Sequence, residues 1–371
     1  MTQRRFASRA VRSVVLGTAL AGGALRAARG IPYSIGADES TLRAAAATST
    51  NAVDGAFRNT EPASIVEAVG MPGIASRMLL RRGVGSPSGT VPLVGTPAPE
   101  VAADLAATWY GHSSVLIEID GRRILADPIW GDRASPSARV GPRRLHPVPI
   151  ALADLPPVDA VVISHDHYDH LDLPTVLALR DLGTAPFVVP LGVGSHLRRW
   201  GIPPSRVHEL DWDEQVEIAG ITITCAEARH FSGRWLRRNT TQWASWALSG
   251  PTRRVYFGGD TGYTAAFARA GDRWGPFDLT LLPVGAYDPA WGDIHMNPEE
   301  SVRAHRDLYG GLLLPVHWAT FNLAFHAWSE PVHRLLGAAE SNGIAVAVPR
   351  PGERIDPAAV PDRTDWWSGV E

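Results

Sequence analysis

A chain of 371 residues with 45% hydrophobic content can bury a large core, enough for one domain of about 250 residues plus extensions. Its formal net charge of −3 argues against a nucleic-acid partner, and its 35 basic residues are all arginine, a usage that fits GC-rich coding more simply than phosphate recognition. The single cysteine, Cys225, excludes an intramolecular disulfide and a cysteine-rich zinc module; in an alternating strand it reads as a small buried hydrophobe.

Residues 1–30 begin with Arg4, Arg5, Arg9 and Arg12 and continue into a mildly apolar run over 14–25. This is the pattern of a twin-arginine export signal. Arg26 and Arg29 crowd the cleavage zone, so the competing reading is a basic amphipathic segment of a cytoplasmic protein. No stretch has the length of a transmembrane helix. Residues 31–104 form an extension rich in Ala, Gly, Ser and Pro, with a short helix expected over 62–69. A catalytic domain is expected over 105–355 and a tail over 356–371.

Within the domain, runs at 114–119 and 123–126 flank Asp120-Gly121 and predict a β-hairpin. The apolar run 158–163 predicts a buried strand. Further strands are expected at 187–189, 221–229, 243–248, 254–257, 279–283, 312–316 and 345–348. Helices are expected at 174–182, 194–200, 264–270, 298–309 and 330–341. This order fits an α/β protein in which two sheets lie between outer helices.

The loop after the 158–163 strand carries His165, His167, Asp169 and His170. Imidazole and carboxylate donors suit zinc and similar divalent ions, and alternate His residues on a loop can aim two rings at one ion. One tetrahedral site uses at most four protein ligands, so more donors at later strand ends imply a second ion. His230, Asp260 and His317 each stand at or just after the end of a strand-like run.

The ordered set His-x-His-x-Asp-His, then His230, Asp260 and His317, resembles the metallo-β-lactamase-fold hydrolases. The resemblance covers roughly residues 105–350 and implies an αββα four-layer sandwich with two zinc ions per chain. It assigns His165, His167 and His230 to one ion and Asp169, His170 and His317 to the other, with Asp260 bridging. Trp109 to Ser114, Ala126 to Trp130, Gly141 to Arg144, Gly259 to Tyr263, Pro283 to Tyr287 and His295 to Val302 are similar to the branch containing N-acylphosphatidylethanolamine-hydrolysing phospholipase D.

That branch implies a phosphodiesterase in which a hydroxide shared by two ions attacks phosphorus, Asp169 orients it, and His295 lies at the substrate as a donor to the leaving oxygen. Tyr168 is a candidate hydrogen-bond donor to a phosphoryl oxygen, or equally a packing aromatic in a tight loop. His112 and Asp127 are expected to support ligands from behind. His146, His196, His208, His305, His326 and His333 read as surface or packing residues. The expected partner is a phospholipid or other small phosphodiester, with peripheral membrane contact and no nucleic acid. Ile294 departs from the polar residue that often precedes the matching His, which leaves the head group open. A lactonase using the same chemistry on a carbonyl carbon is the alternative, and a non-catalytic metal-binding envelope protein is a third reading.

Overall fold

A computed structural model describes residues 30–63 and 83–371; the export signal and most of the expected 62–69 helix lie outside them. The expected hairpin forms from β4 (Ser114–Ile119) and β5 (Arg122–Ala126), which pair antiparallel around Asp120-Gly121. Both turn residues have positive φ, 45° and 74°, as a two-residue hairpin turn requires. β3 (Leu105–Gly111) pairs with β4, and β6 (Ala160–Val162), β7 (Phe187–Pro190) and β8 (Val207–Leu210) continue the sheet in parallel. β15 (Arg354–Ile355) closes the other edge, giving the order β15-β3-β4-β5-β6-β7-β8. The second sheet has the order β14-β13-β12-β11-β10-β9, from β9 (Gln215–Ile218), β10 (Ile221–Ala226), β11 (Ser245–Ser249), β12 (Arg254–Phe257), β13 (Leu279–Pro283) and β14 (Leu312–Val316).

The period of two along each strand explains the layers. Ile117, Ile119, Ile124 and Val162 face Ile223, Leu248, Val255 and Leu281 in a core between the sheets. Their neighbours Leu116, Leu125 and Val161 face outward, onto α3 (Leu173–Leu182) and α4 (Val193–Arg199) through Val176 and Leu197. On the far side, α5 (Ala266–Trp274), α6 (Pro298–Asp307) and α7 (Glu330–Asn342) cover the second sheet with Phe267, Val302 and Leu335. The result is the αββα sandwich. α6 starts where its residues direct it: Asn297 and Glu300 form a reciprocal capping box, with Pro298 in the first turn.

β3, β8 and β9 are not among the expected strands, and three further segments differ from expectation. Residues 345–348 form only an isolated bridge, Leu313 to Val346, because Pro349 and Pro351 follow at the sheet edge and have no N–H to extend a ladder. The expected tail turns back at Trp366–Gly369 and buries Trp366 and Trp367 against Trp318. In the N-terminal extension, α1 (Ile31–Ile35) and α2 (Glu39–Ala46) precede a short hairpin of β1 (Ala52–Val53) and β2 (Ala56–Phe57), and Ala46 and Phe57 pack on Trp243.

Candidate metal centre

Every expected ligand follows the end of a strand. The loop after β6 carries His165, His167, Asp169 and His170; β10, β12 and β14 deliver His230, Asp260 and His317. The seven side chains converge. Asp260 Oδ2 lies 3.0 Å from His317 Nε2 and 3.2 Å from His170 Nε2 on one side, and 3.8 Å from His230 Nε2 and 4.0 Å from His165 Nε2 on the other. Asp169 Oδ2 is 3.5 Å from His317 Nε2 and 3.6 Å from His170 Nε2. His167 Nδ1 is 2.8 Å from His165 Nε2 and 3.3 Å from His230 Nε2.

These spacings suit metal ions. Nitrogens about 2.0–2.1 Å from one zinc lie roughly 3.3 Å apart across a tetrahedral angle. His165, His167 and His230 form one group of that kind, and Asp169, His170 and His317 a second, with Asp260 central to both. His170 Nε2, His317 Nε2 and Asp260 Oδ1 are buried and have no hydrogen-bond partner among the described residues. Leaving such atoms unpaired costs on the order of 1–3 kcal/mol each, which an ion would relieve. Burial pushes the His170 and His317 imidazoles down, but carboxylates outweigh it: Asp260, Asp169 and Asp127 hold His170 well above the ordinary value, and Asp260 and Asp169 bring His317 to about 9. A field that draws protons to these nitrogens draws a cation there as well.

Supporting residues fix the tautomers. His170 Nδ1–H donates to Asp127 Oδ2 at 2.6 Å, and His230 Nδ1–H donates to the Ile294 carbonyl at 2.8 Å, so in each ring Nε2 is left for a metal. Asp127 also accepts from the backbone N–H (2.6 Å) and hydroxyl (2.5 Å) of Ser164. His112 Nε2 sits 3.0 Å from Asp169 Oδ2, and burial lowers its pKa to about 3. The expected support from His112 and Asp127 is present, and His112 also belongs to the Asp169, His170 and His317 group.

The residues expected at the substrate divide. His295 reaches the cluster, its Nδ1 3.9 Å from Asp260 Oδ2 and its ring 5.0 Å from that of His230. It lines both the small opening over the ligands, about 170 Å³, and a larger polar cavity of about 760 Å³. Of the two readings of Tyr168 the structure takes packing, and its expected place at the substrate is corrected: its hydroxyl donates to the Arg234 carbonyl at 2.6 Å and its ring lies under the Arg234 guanidinium, so it serves the back of the loop. The opening is instead walled by Phe231, Arg238, Trp291, Ile294 and Leu323. Of these, Arg238 had a visible signal, an arginine-rich stretch just after His230.

A fold with these ligands at its strand ends defines a metal-dependent hydrolase. The family model described as a beta-lactamase superfamily domain matches residues 122–318, and the chain belongs to that superfamily. An uncharacterized protein of Mycobacterium tuberculosis strain H37Rv is 54% identical over 352 residues, spanning 92% of this chain and 94% of that one. The N-acyl-phosphatidylethanolamine-hydrolyzing phospholipase D 1 of Caenorhabditis elegans is 41% identical over 229 residues, 58% of this chain and 64% of its own length. Among solved structures, a metallo hydrolase of Ignicoccus hospitalis superposes with a TM-score of 0.54 at 23% identity, covering 68% of this chain and 97% of the other, and shows the shared fold.

Proposed function

We propose that the protein is a binuclear zinc-dependent phosphodiesterase of phospholipase D type, acting on N-acylphosphatidylethanolamine or a related phospholipid. The likeness to the nematode phospholipase D supports the reaction type. The observation that carries the substrate class is the opening over the ligands, where Arg238 stands among Phe231, Trp291, Ile294 and Leu323. A single guanidinium in an apolar rim suits a phosphate flanked by acyl chains. Contact with a lipid surface belongs to the same reading, since Trp235 and Leu236 of the neighbouring loop are 63% and 86% exposed. No described helix is long and apolar enough to cross a membrane.

When bound, a pair of divalent ions activates water at neutral pH and offsets charge developing on the electrophile. The chain's residues supply the remainder. Asp169 is the more exposed of the two central carboxylates (14% against 2% for Asp260) and is oriented by His112, so it can hold and turn the attacking water. Arg238 binds a non-bridging phosphoryl oxygen. His295, whose pKa burial lowers to about 4, is neutral at physiological pH and donates a hydrogen bond to the departing oxygen without carrying charge.

The test is to offer metal-loaded protein a generic phosphodiester, an N-acylphosphatidylethanolamine and a simple lactone, with Asp169→Asn as control. Cleavage of the phosphodiesters, reduced about 100-fold or more in the control, is expected. Lactone opening alone would reject the phospholipase reading and favour the lactonase.

A further inference from the structure

We infer that residues 33–37 of the N-terminal segment are a working part of the metal centre, tied to its loop through Arg234 and His196, which act as positioning residues. The inference rests on the metal-centre reading and is independent of the substrate.

Arg234 is 5% exposed, and a buried guanidinium is costly unless its donors are satisfied. Its Nη1 donates to the carbonyls of Asp166 (2.6 Å) and Leu171 (2.9 Å). Those two carbonyls bracket His167, Asp169 and His170, so one arm of the guanidinium fork spans the ligand loop. On its other side, Nε and Nη2 donate to the Ser34 carbonyl at 3.2 and 2.8 Å. The guanidinium stacks on Tyr168 at 4.0 Å, and lysine could not reproduce that plane or that fork.

His196 forms the second tie. Its Nδ1 accepts the Ala37 N–H at 3.0 Å, which puts its proton on Nε2, 3.5 Å from Asp166 Oδ2. Asp166 stands between the ligands His165 and His167, and its Oδ1 accepts the Gly233 N–H at 2.7 Å. Trp200, one turn beyond His196, donates its indole N–H to the Tyr33 carbonyl at 2.8 Å. Gly36 lets the segment lie this close: it has φ +96°, and a Cβ there would stand 2.2 Å from His196 Nδ1.

The experiment uses the full chain with Gly36→Ala, Arg234→Lys and, as a control in the same segment, Asp38→Ala, which removes only the N-cap of α2. Zinc affinity is read by chelator competition, the geometry of the site by the visible spectrum of the cobalt-substituted protein, and the fold by thermal unfolding of the metal-free protein. Gly36→Ala and Arg234→Lys are expected to weaken zinc binding about 10–100-fold and to alter the cobalt bands, with the control at wild-type values. Unchanged affinity and spectrum in both variants would overturn the inference. An equal loss in Asp38→Ala would overturn it too, by showing general loosening. If Arg234→Lys does not fold, Gly36→Ala alone decides.

Discussion

At the scale of single residues, the centre is held under backbone strain. His112, Asp127 and His317 have φ of 51°, 37° and 62°, in a region that non-glycine residues enter at a cost of about 1–3 kcal/mol. Asp127 shows what that arrangement serves. Its carboxylate accepts three hydrogen bonds, one from the ring of His170, and an amide in its place would set an NH₂ against a donor. Asp127→Asn is therefore expected to lower metal affinity about 10–100-fold in a chelator titration, with the circular dichroism spectrum unchanged. For His295, hydrogen bonding without charge predicts that His295→Gln keeps more kcat than His295→Ala. Equal losses in steady-state assays would remove the donor role.

At the scale of elements, α6 packs on β13 through His305, whose Nδ1 lies 2.7 Å from Thr280 Oγ1. Burial lowers this imidazole from 6.5 to about 4. Between those values the unfolded chain binds a proton that the folded chain does not, so stability falls as pH drops from about 6.5 to 4. His305→Asn should flatten the curve of unfolding free energy against pH by up to about 1.4 kcal/mol per unit in that window. Elements whose signals are local were legible: β12, β13 and β14 fall on their expected boundaries, and α6 starts where its Asn-Pro signal stands. The convergence of the candidate donors was legible for the same reason, since each follows a strand. What escaped were partnerships between distant segments. Nothing near Tyr168 in sequence indicates that Arg234 claims its hydroxyl, and β15 is two residues long and exists only by pairing with β3. The tail is similar: Trp366 and Trp367 bury themselves on Trp318, next to the ligand His317, with ring centroids 5.4 and 6.3 Å away. Trp367→Ala is expected to cost about 3–5 kcal/mol in denaturant unfolding.

At the scale of the whole molecule, both ends of the described chain pack close to the surroundings of the metal centre, the C-terminal tryptophans on Trp318, the residue after His317, and residues 33–37 tied through Arg234 and His196 to the loop of His165 to His170. This constrains any processing of the N-terminus. If the basic segment over residues 1–30 is an export signal and not a basic amphipathic segment, its leader can be removed without harm only upstream of the carbonyls and N–H groups that Trp200, Arg234 and His196 use. Those begin at Tyr33, whose carbonyl accepts from Trp200, and end at Ala37, whose N–H meets His196. Metal-loaded protein recovered from its producing cells is therefore expected to start at or before Tyr33, whether or not a leader has been cut. Intact-mass measurement alongside metal analysis checks this. A chain that begins after Ala37 and still carries its full complement of metal would show that the loop keeps its geometry unaided, and the N-terminal segment would then be an accessory to the fold with no part in the centre.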